Sequence, residues 1–235
     1  MSDLKTWKSI LEIRYPAAAS LFDNRGEIAT YWQWKDDLSE WQISNNQVTV
    51  FNKSNTKFLR VGLRNAVVVY ELPESQKAFL DRAEEFVLYI LETLQPKSLE
   101  RVGLRIILVS ERKHFKLLVN NIRKRLLSLT EADWAIFGGP PDDVGFPLVL
   151  TLEEYKVNFN FGPMAKDQLA GYFESNEVKE RLPAVCLFCD FDIFRTDLNL
   201  EANLQASYFR DFLKFGSDQA LQISRQFLDK YKDFE

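Results

Sequence analysis

Apolar residues recur at helical spacing over residues 74–94, where Phe79, Ala83, Phe86, Val87, Ile90, Leu91 and Leu94 fall on one stripe. Pro73 and Pro96 flank that segment, so the pattern predicts a helix bounded at both ends. A second amphipathic helix is predicted over 114–127, with Phe115, Leu118, Val119, Ile122 and Leu126 facing inward. Alternation predicts strands over 7–15, 40–51 (with a hairpin turn or a bulge at Asn45-Asn46), 57–71, 99–110, 134–137 and 183–194. Residues 146–151 and 155–161 read as a hairpin around Glu153-Glu154. Ile106-Ile107-Leu108-Val109 is apolar on both faces, which predicts a central strand. Residues 17–34 suit a helix interrupted near Asn24-Arg25-Gly26. A short helix is predicted over 165–173, and a long one over 202–231, broken at Gly216.

The first 110 residues thus read β-α-β-β-α-β, a ferredoxin-like order, and the second half reads the same way with an extra strand. The expected fold is α+β: two ferredoxin-like halves, 1–111 and 112–235, sharing a mainly antiparallel sheet, with a long C-terminal helix. No linker or low-complexity segment separates the halves, so one continuous domain is the alternative.

The pentapeptide Arg-Val-Gly-Leu-Arg occurs twice, at Arg60–Arg64 and Arg101–Arg105, each copy opening an apolar run. Alternation puts Arg60, Gly62 and Arg64 on one face of their strand, and Arg101, Gly103 and Arg105 on one face of theirs. If the two strands are neighbours, their guanidinium groups surround positions with no side chain. That arrangement makes Arg60, Arg64, Arg101 and Arg105 either an anion site or part of a salt-bridge lattice.

Composition narrows the classes. The 235 residues are 46% hydrophobic, enough for a real core, and carry a formal net charge of −4, so the whole molecule has no pull towards nucleic acid. With 9 glycines, a Gly-rich phosphate loop is disfavoured, and Gly138-Gly139-Pro140-Pro141-Asp142-Asp143 lacks the Lys-Ser or Lys-Thr of a P-loop. No signal peptide and no apolar stretch of bilayer length is evident. With two cysteines, the expected location is cytoplasmic, without a membrane partner.

Three features together resemble a sporadically distributed, uncharacterised bacterial family of about this length. They are the opening strand Ile10-Leu11-Glu12-Ile13-Arg14-Tyr15, the long helix followed by Arg101-Val102-Gly103-Leu104-Arg105, and Cys189-Asp190-Phe191-Asp192-Ile193-Phe194 before a C-terminal helix. Members of that family continue the Gly-Leu-Arg motif with Tyr-Ile-Asn, where this chain has Ile106-Ile107-Leu108. The resemblance implies no activity; it singles out Arg105, Asp190 and Asp192.

Asp190 and Asp192 share one face of a predicted strand. Such a pair holds Mg²⁺ or Mn²⁺ for phosphoryl or nucleotidyl transfer, or pairs with the Arg strands. Cys186 and Cys189 form a C-x-x-C inside a strand, where residues three apart face opposite ways about 10 Å apart, too far for a disulfide. No second cysteine pair completes a zinc set, and no cofactor is expected. The single histidine, His114, opens a basic helix, a poor setting for a catalytic base. Lys113, Lys116, Arg123 and Arg125 of that helix could contact phosphates, but the usual explanation of such a run is a solvated outer face. Tyr31, Trp32, Trp34 and Trp41 are core on their pattern, or else a surface that stacks bases or a ligand or forms a protein interface.

The leading expectation is a soluble interaction or accessory protein without catalytic activity, acting with a protein partner or as a homo-oligomer. The alternatives are nucleic-acid binding through 112–125 and metal-dependent phosphoryl or nucleotidyl transfer at Asp190 and Asp192.

Overall fold

The structure, a computed structural model, describes residues 4–200 and 206–230. In chain order the elements of the first half are β1 (Lys5–Arg14), α1 (Leu21–Trp32), β2 (Glu40–Ile43), β3 (Gln47–Phe51), β4 (Lys57–Gly62), β5 (Asn65–Glu71), α2 (Gln76–Leu94) and β6 (Ser98–Arg112). The second half adds α3 (Phe115–Leu126), α4 (Glu131–Ile136), β7 (Phe146–Leu152), β8 (Tyr155–Ala165), α5 (Lys166–Ala170), α6 (Asn176–Arg181), β9 (Val185–Asn199) and α7 (Ala206–Lys230). The strands form one nine-stranded sheet in the order β2-β3-β4-β5-β1-β6-β9-β8-β7. Every neighbouring pair is antiparallel. The two halves meet at the long β6–β9 ladder, which runs from Ser98↔Asn199 to Arg112↔Val185.

Several expectations are corrected. Segment 57–71 is two strands, because the apolar alternation stops at the polar Arg64-Asn65 and restarts at Ala66. The first half is therefore β-α-β-β-β-β-α-β. Among the described residues the second half supplies three strands. Residues 134–137 are not a strand, since Thr130 and Asp133 form a reciprocal capping box that starts α4. Helix α1 passes through Gly26, and α7 passes through Gly216. The expected helix also took in residues 202–205 and 231, which lie outside the described residues.

One face of the sheet carries the main core. Leu11, Ile13, Val68, Leu104, Phe159 and Phe191 point there, under Trp32, Phe79, Phe86 and Phe212 from α1, α2 and α7. Helix α3 covers the same face through Leu118 and Ile122 against Leu187. On the opposite face, Leu169, Phe173, Val178 and Leu182 from the α5–α6 region cover only the part formed by Ile107, Val109, Cys186 and Phe188. The remainder of that face stays open. Among the described residues, no helix is long and apolar enough to cross a membrane.

Gly216 explains how a long helix sits so close to the sheet centre. A Cβ built there would lie 2.8 Å from Ile193 Cγ2 and 3.0 Å from Leu104 Cδ2. Gly26, exposed in α1, would meet nothing within 4 Å. The same substitution should therefore act with opposite sign at the two positions. Gly26→Ala should stabilise by up to about 1 kcal/mol through helix propensity. Gly216→Ala gains the same propensity but overpacks a buried contact at a cost of about 1–3 kcal/mol. Denaturant melts should show the first variant at or above wild type and the second below it.

Candidate functional site

On the open face, strand register lines side chains up in rows. One row runs Arg60, Val67, Glu12, Gly103, Phe194. The next runs Phe58, Val69, Ile10, Arg105, Asp192, Asn158. The two pentapeptide strands share a face but are not neighbours, because β5 and β1 lie between them. Three steps of about 4.8 Å put the Arg60 and Gly103 backbones roughly 14 Å apart. Arg64 lies in the β4–β5 turn, exposed, where its carbonyl accepts from Tyr15 N at 3.0 Å. It is not part of the group.

Arg101 and Arg105 are committed to carboxylates. Arg105 grips Asp190 with two bonds, Nε to Oδ1 at 2.7 Å and Nη2 to Oδ2 at 2.8 Å. The Asp190 side chain is 5% exposed and that of Arg105 38%. This pairing holds the Arg105 guanidinium above its ordinary pKa, so it stays charged at every working pH. Arg101 donates to Asp192 Oδ1 at 2.6 Å and to Glu12 Oε2 at 3.1 Å. Asn158 Nδ2 donates to the other Asp192 oxygen at 3.2 Å. Arg14 pairs with Glu12 at 2.8 Å. Gly103 makes the Arg101 position feasible. A Cβ there would come within 2.4 Å of Arg101 Nη1, so the guanidinium lies folded over bare backbone, with its other neighbour the Phe194 ring at 4.6 Å.

Arg60 differs. Its Nε–H is buried and donates to no partner, and the residue has no ion pair, among the described residues. Its guanidinium carbon lies 5.3 Å from the Phe58 ring centre. Arg60 borders a cleft of about 340 Å³ whose floor includes Ile10, Val67 and Val69 and whose far side includes Arg101 and Arg105.

The segment after α5 closes one end of this cleft, where Glu174 lines it. A buried pair on adjacent strands anchors the segment. Lys8 Nζ donates to Glu71 at 2.8 Å and to the Tyr172 carbonyl at 2.8 Å. The Glu71 carboxylate also accepts from Glu174 N and Ser175 N at 2.8 and 3.1 Å. Both charges are therefore hydrogen-bonded as well as paired, which burial requires.

The sequence reasoning missed Glu12, Arg14, Lys8 and Glu71. The available signal was the alternation Lys8, Ile10, Glu12, Arg14 along β1, which places charges on the face opposite Leu11 and Ile13.

Of the other candidates, Asp192 lines the cleft beside Arg101 and Arg105, and the cysteines and the basic helix lie apart from it. Each carboxylate of Asp190 and Asp192 bonds to a guanidinium, and no group of three or more His, Cys, Asp or Glu among the described residues could hold a metal. Cys186 and Cys189 are free and buried, one in each apolar layer, and burial pushes both thiols up to about 12. His114, Lys113, Lys116 and Arg125 are exposed, whereas Arg123 is half-buried against Trp134 at 5.8 Å. Trp32 is core, while Trp34 is 74% and Trp41 51% exposed. No family model and no curated protein matches the chain.

The Arg105–Asp190 pair is asymmetric in burial, so its two truncations should differ. Arg105→Ala strands a buried carboxylate and should cost about 3 kcal/mol. Asp190→Ala leaves a guanidinium that can turn to water and should cost about 1–2 kcal/mol. Urea unfolding of both variants, and of the double variant, measures the difference and the coupling.

Proposed function

We propose that the protein is a non-catalytic binding protein whose open-face cleft receives an anionic group carried on an apolar body. Arg60 carries the reading. It is a guanidinium at the edge of a cleft with a buried, unpaired Nε, on a face where Arg14, Arg101 and Arg105 each have a carboxylate. An unsatisfied buried donor costs about 1–3 kcal/mol, and an oxyanion from outside would supply what the chain does not. The Ile10, Val67 and Val69 floor suits an apolar portion beside the anion.

We infer that the first half is a ferredoxin-like unit in which the β2–β3 hairpin is an insertion. The neighbour order β6-β1-β5-β4 supports it. Two free, buried cysteines fit a cytoplasmic protein.

Amide-resolved NMR titration with phenyl phosphate tests the reading. Perturbations should centre on Arg60, Val67, Val69 and Ile10, with inorganic phosphate binding more weakly at the same place. Arg60→Gln should weaken phenyl phosphate about tenfold or more, the loss of one charge-assisted bond. Perturbations absent from the cleft, or unchanged by Arg60→Gln, would contradict it.

A further inference from the structure

The two edges of the sheet are built differently. At one edge, β2 is four residues long, begins with Glu40 and has every residue exposed. That is a short, charged edge of the kind that resists pairing. At the other edge, β7 is seven residues long, Phe-Pro-Leu-Val-Leu-Thr-Leu, with no charged residue. Phe146, Leu148, Leu150 and Leu152 lie on the core face, opposite Phe161, Phe159, Val157 and Tyr155 of β8. Pro147, Val149 and Thr151 lie on the other face. Leu148 is 42% exposed and Val149 78%. A strand without charge and apolar at all positions but Thr151 has nearly the composition of a sheet interior, yet its outer side has no neighbouring strand among the described residues.

We infer that β7 is a homodimer seam, at which two copies of the chain pair β7 against β7 antiparallel about a two-fold axis and continue the sheet. The register follows from Pro147. A proline is tolerated in an edge strand when its nitrogen faces away from the neighbouring strand. That parity points the main-chain groups of Val149 and Thr151 outward too. A two-fold axis at Val149 then pairs Val149 with its own copy and lets the Pro147 carbonyl accept from Thr151 of the second copy. On the core face the same register sets Leu148 against Leu150 of the second copy and Phe146 against Leu152 of the second copy. Every cross-pair on that face is apolar, and no like charges meet anywhere along the seam. This freedom from self-repulsion selects a second copy over a charged partner.

Sedimentation velocity over a concentration series tests the seam, using wild type, Val149→Lys and, at the opposite edge, Trp41→Lys. Wild type and Trp41→Lys should form dimers that dissociate on dilution, while Val149→Lys should sediment as a monomer that melts where wild type melts once diluted to monomer. If Val149→Lys alters the melt, Thr151→Lys on the same exposed row replaces it. A wild type monomeric at all concentrations, a dimer that survives the lysine on β7, or one equally lost with Trp41→Lys overturns the inference.

Discussion

A charge on the open face of this sheet must be neutralised by another charge within a strand or two, or by something from outside. The helices α1, α2, α3 and α7 cover one face with apolar contacts, and the α5–α6 region covers only part of the other. What remains is a partly desolvated surface on which β1, β6 and β9 carry Glu12, Arg14, Arg101, Arg105, Asp190 and Asp192. Each cation among these has a carboxylate within about 3 Å. Arg60, on β4 and separated from β6 by Val67 and Glu12, has none among the described residues. The strand order thus separates a closed lattice from an open site on one surface.

The boundary of the site depends on the buried Lys8–Glu71 pair. Two charges with side chains 7% and 0% exposed are costly unless every lone pair and proton is used, and here the carboxylate also binds the backbone of Glu174 and Ser175. The pair therefore works as a clamp that fixes where the α5–α6 cover ends and the cleft begins. An apolar pair could occupy the same two strand positions but would not hold that backbone.

Much of the fold was legible in the sequence. The stripe of Phe79, Ala83, Phe86, Val87, Ile90 and Leu94 reports α2 because burial at helical spacing is local information. The doubly apolar Ile106–Val109 reports a strand inside the sheet, and β6 has β1 and β9 on either side. Strand order was not legible, since pairing is set by long-range packing. The adjacency of the two pentapeptides is therefore a condition that alternation alone does not meet, and Arg64 falls in a turn that the alternation runs through. Within the site, the charged face of β6 and the Asp190/Asp192 face of β9 could be read from period-two alternation alone. Their contact could not, because it requires β6 and β9 to be neighbours across 85 to 91 residues of chain. Trp134 illustrates a different limit: an aromatic residue favours a strand until a capping box in the residues just before it, Thr130 and Asp133, decides otherwise.

The central claim is that Arg60 is held for a ligand while Arg101 is held for the fold. Thermal melts of Arg60→Gln and Arg101→Gln, without added ligand, test it most directly. Removing Arg101 takes the guanidinium from Asp192 and leaves Glu12 with Arg14 alone, and should lower the midpoint by several degrees, at about 2–4 °C per kcal/mol for a chain of this size. Removing Arg60 breaks no ion pair and relieves an unsatisfied donor, so the midpoint should hold or rise. An equal fall for both variants would make Arg60 a structural member of the same lattice and contradict the account.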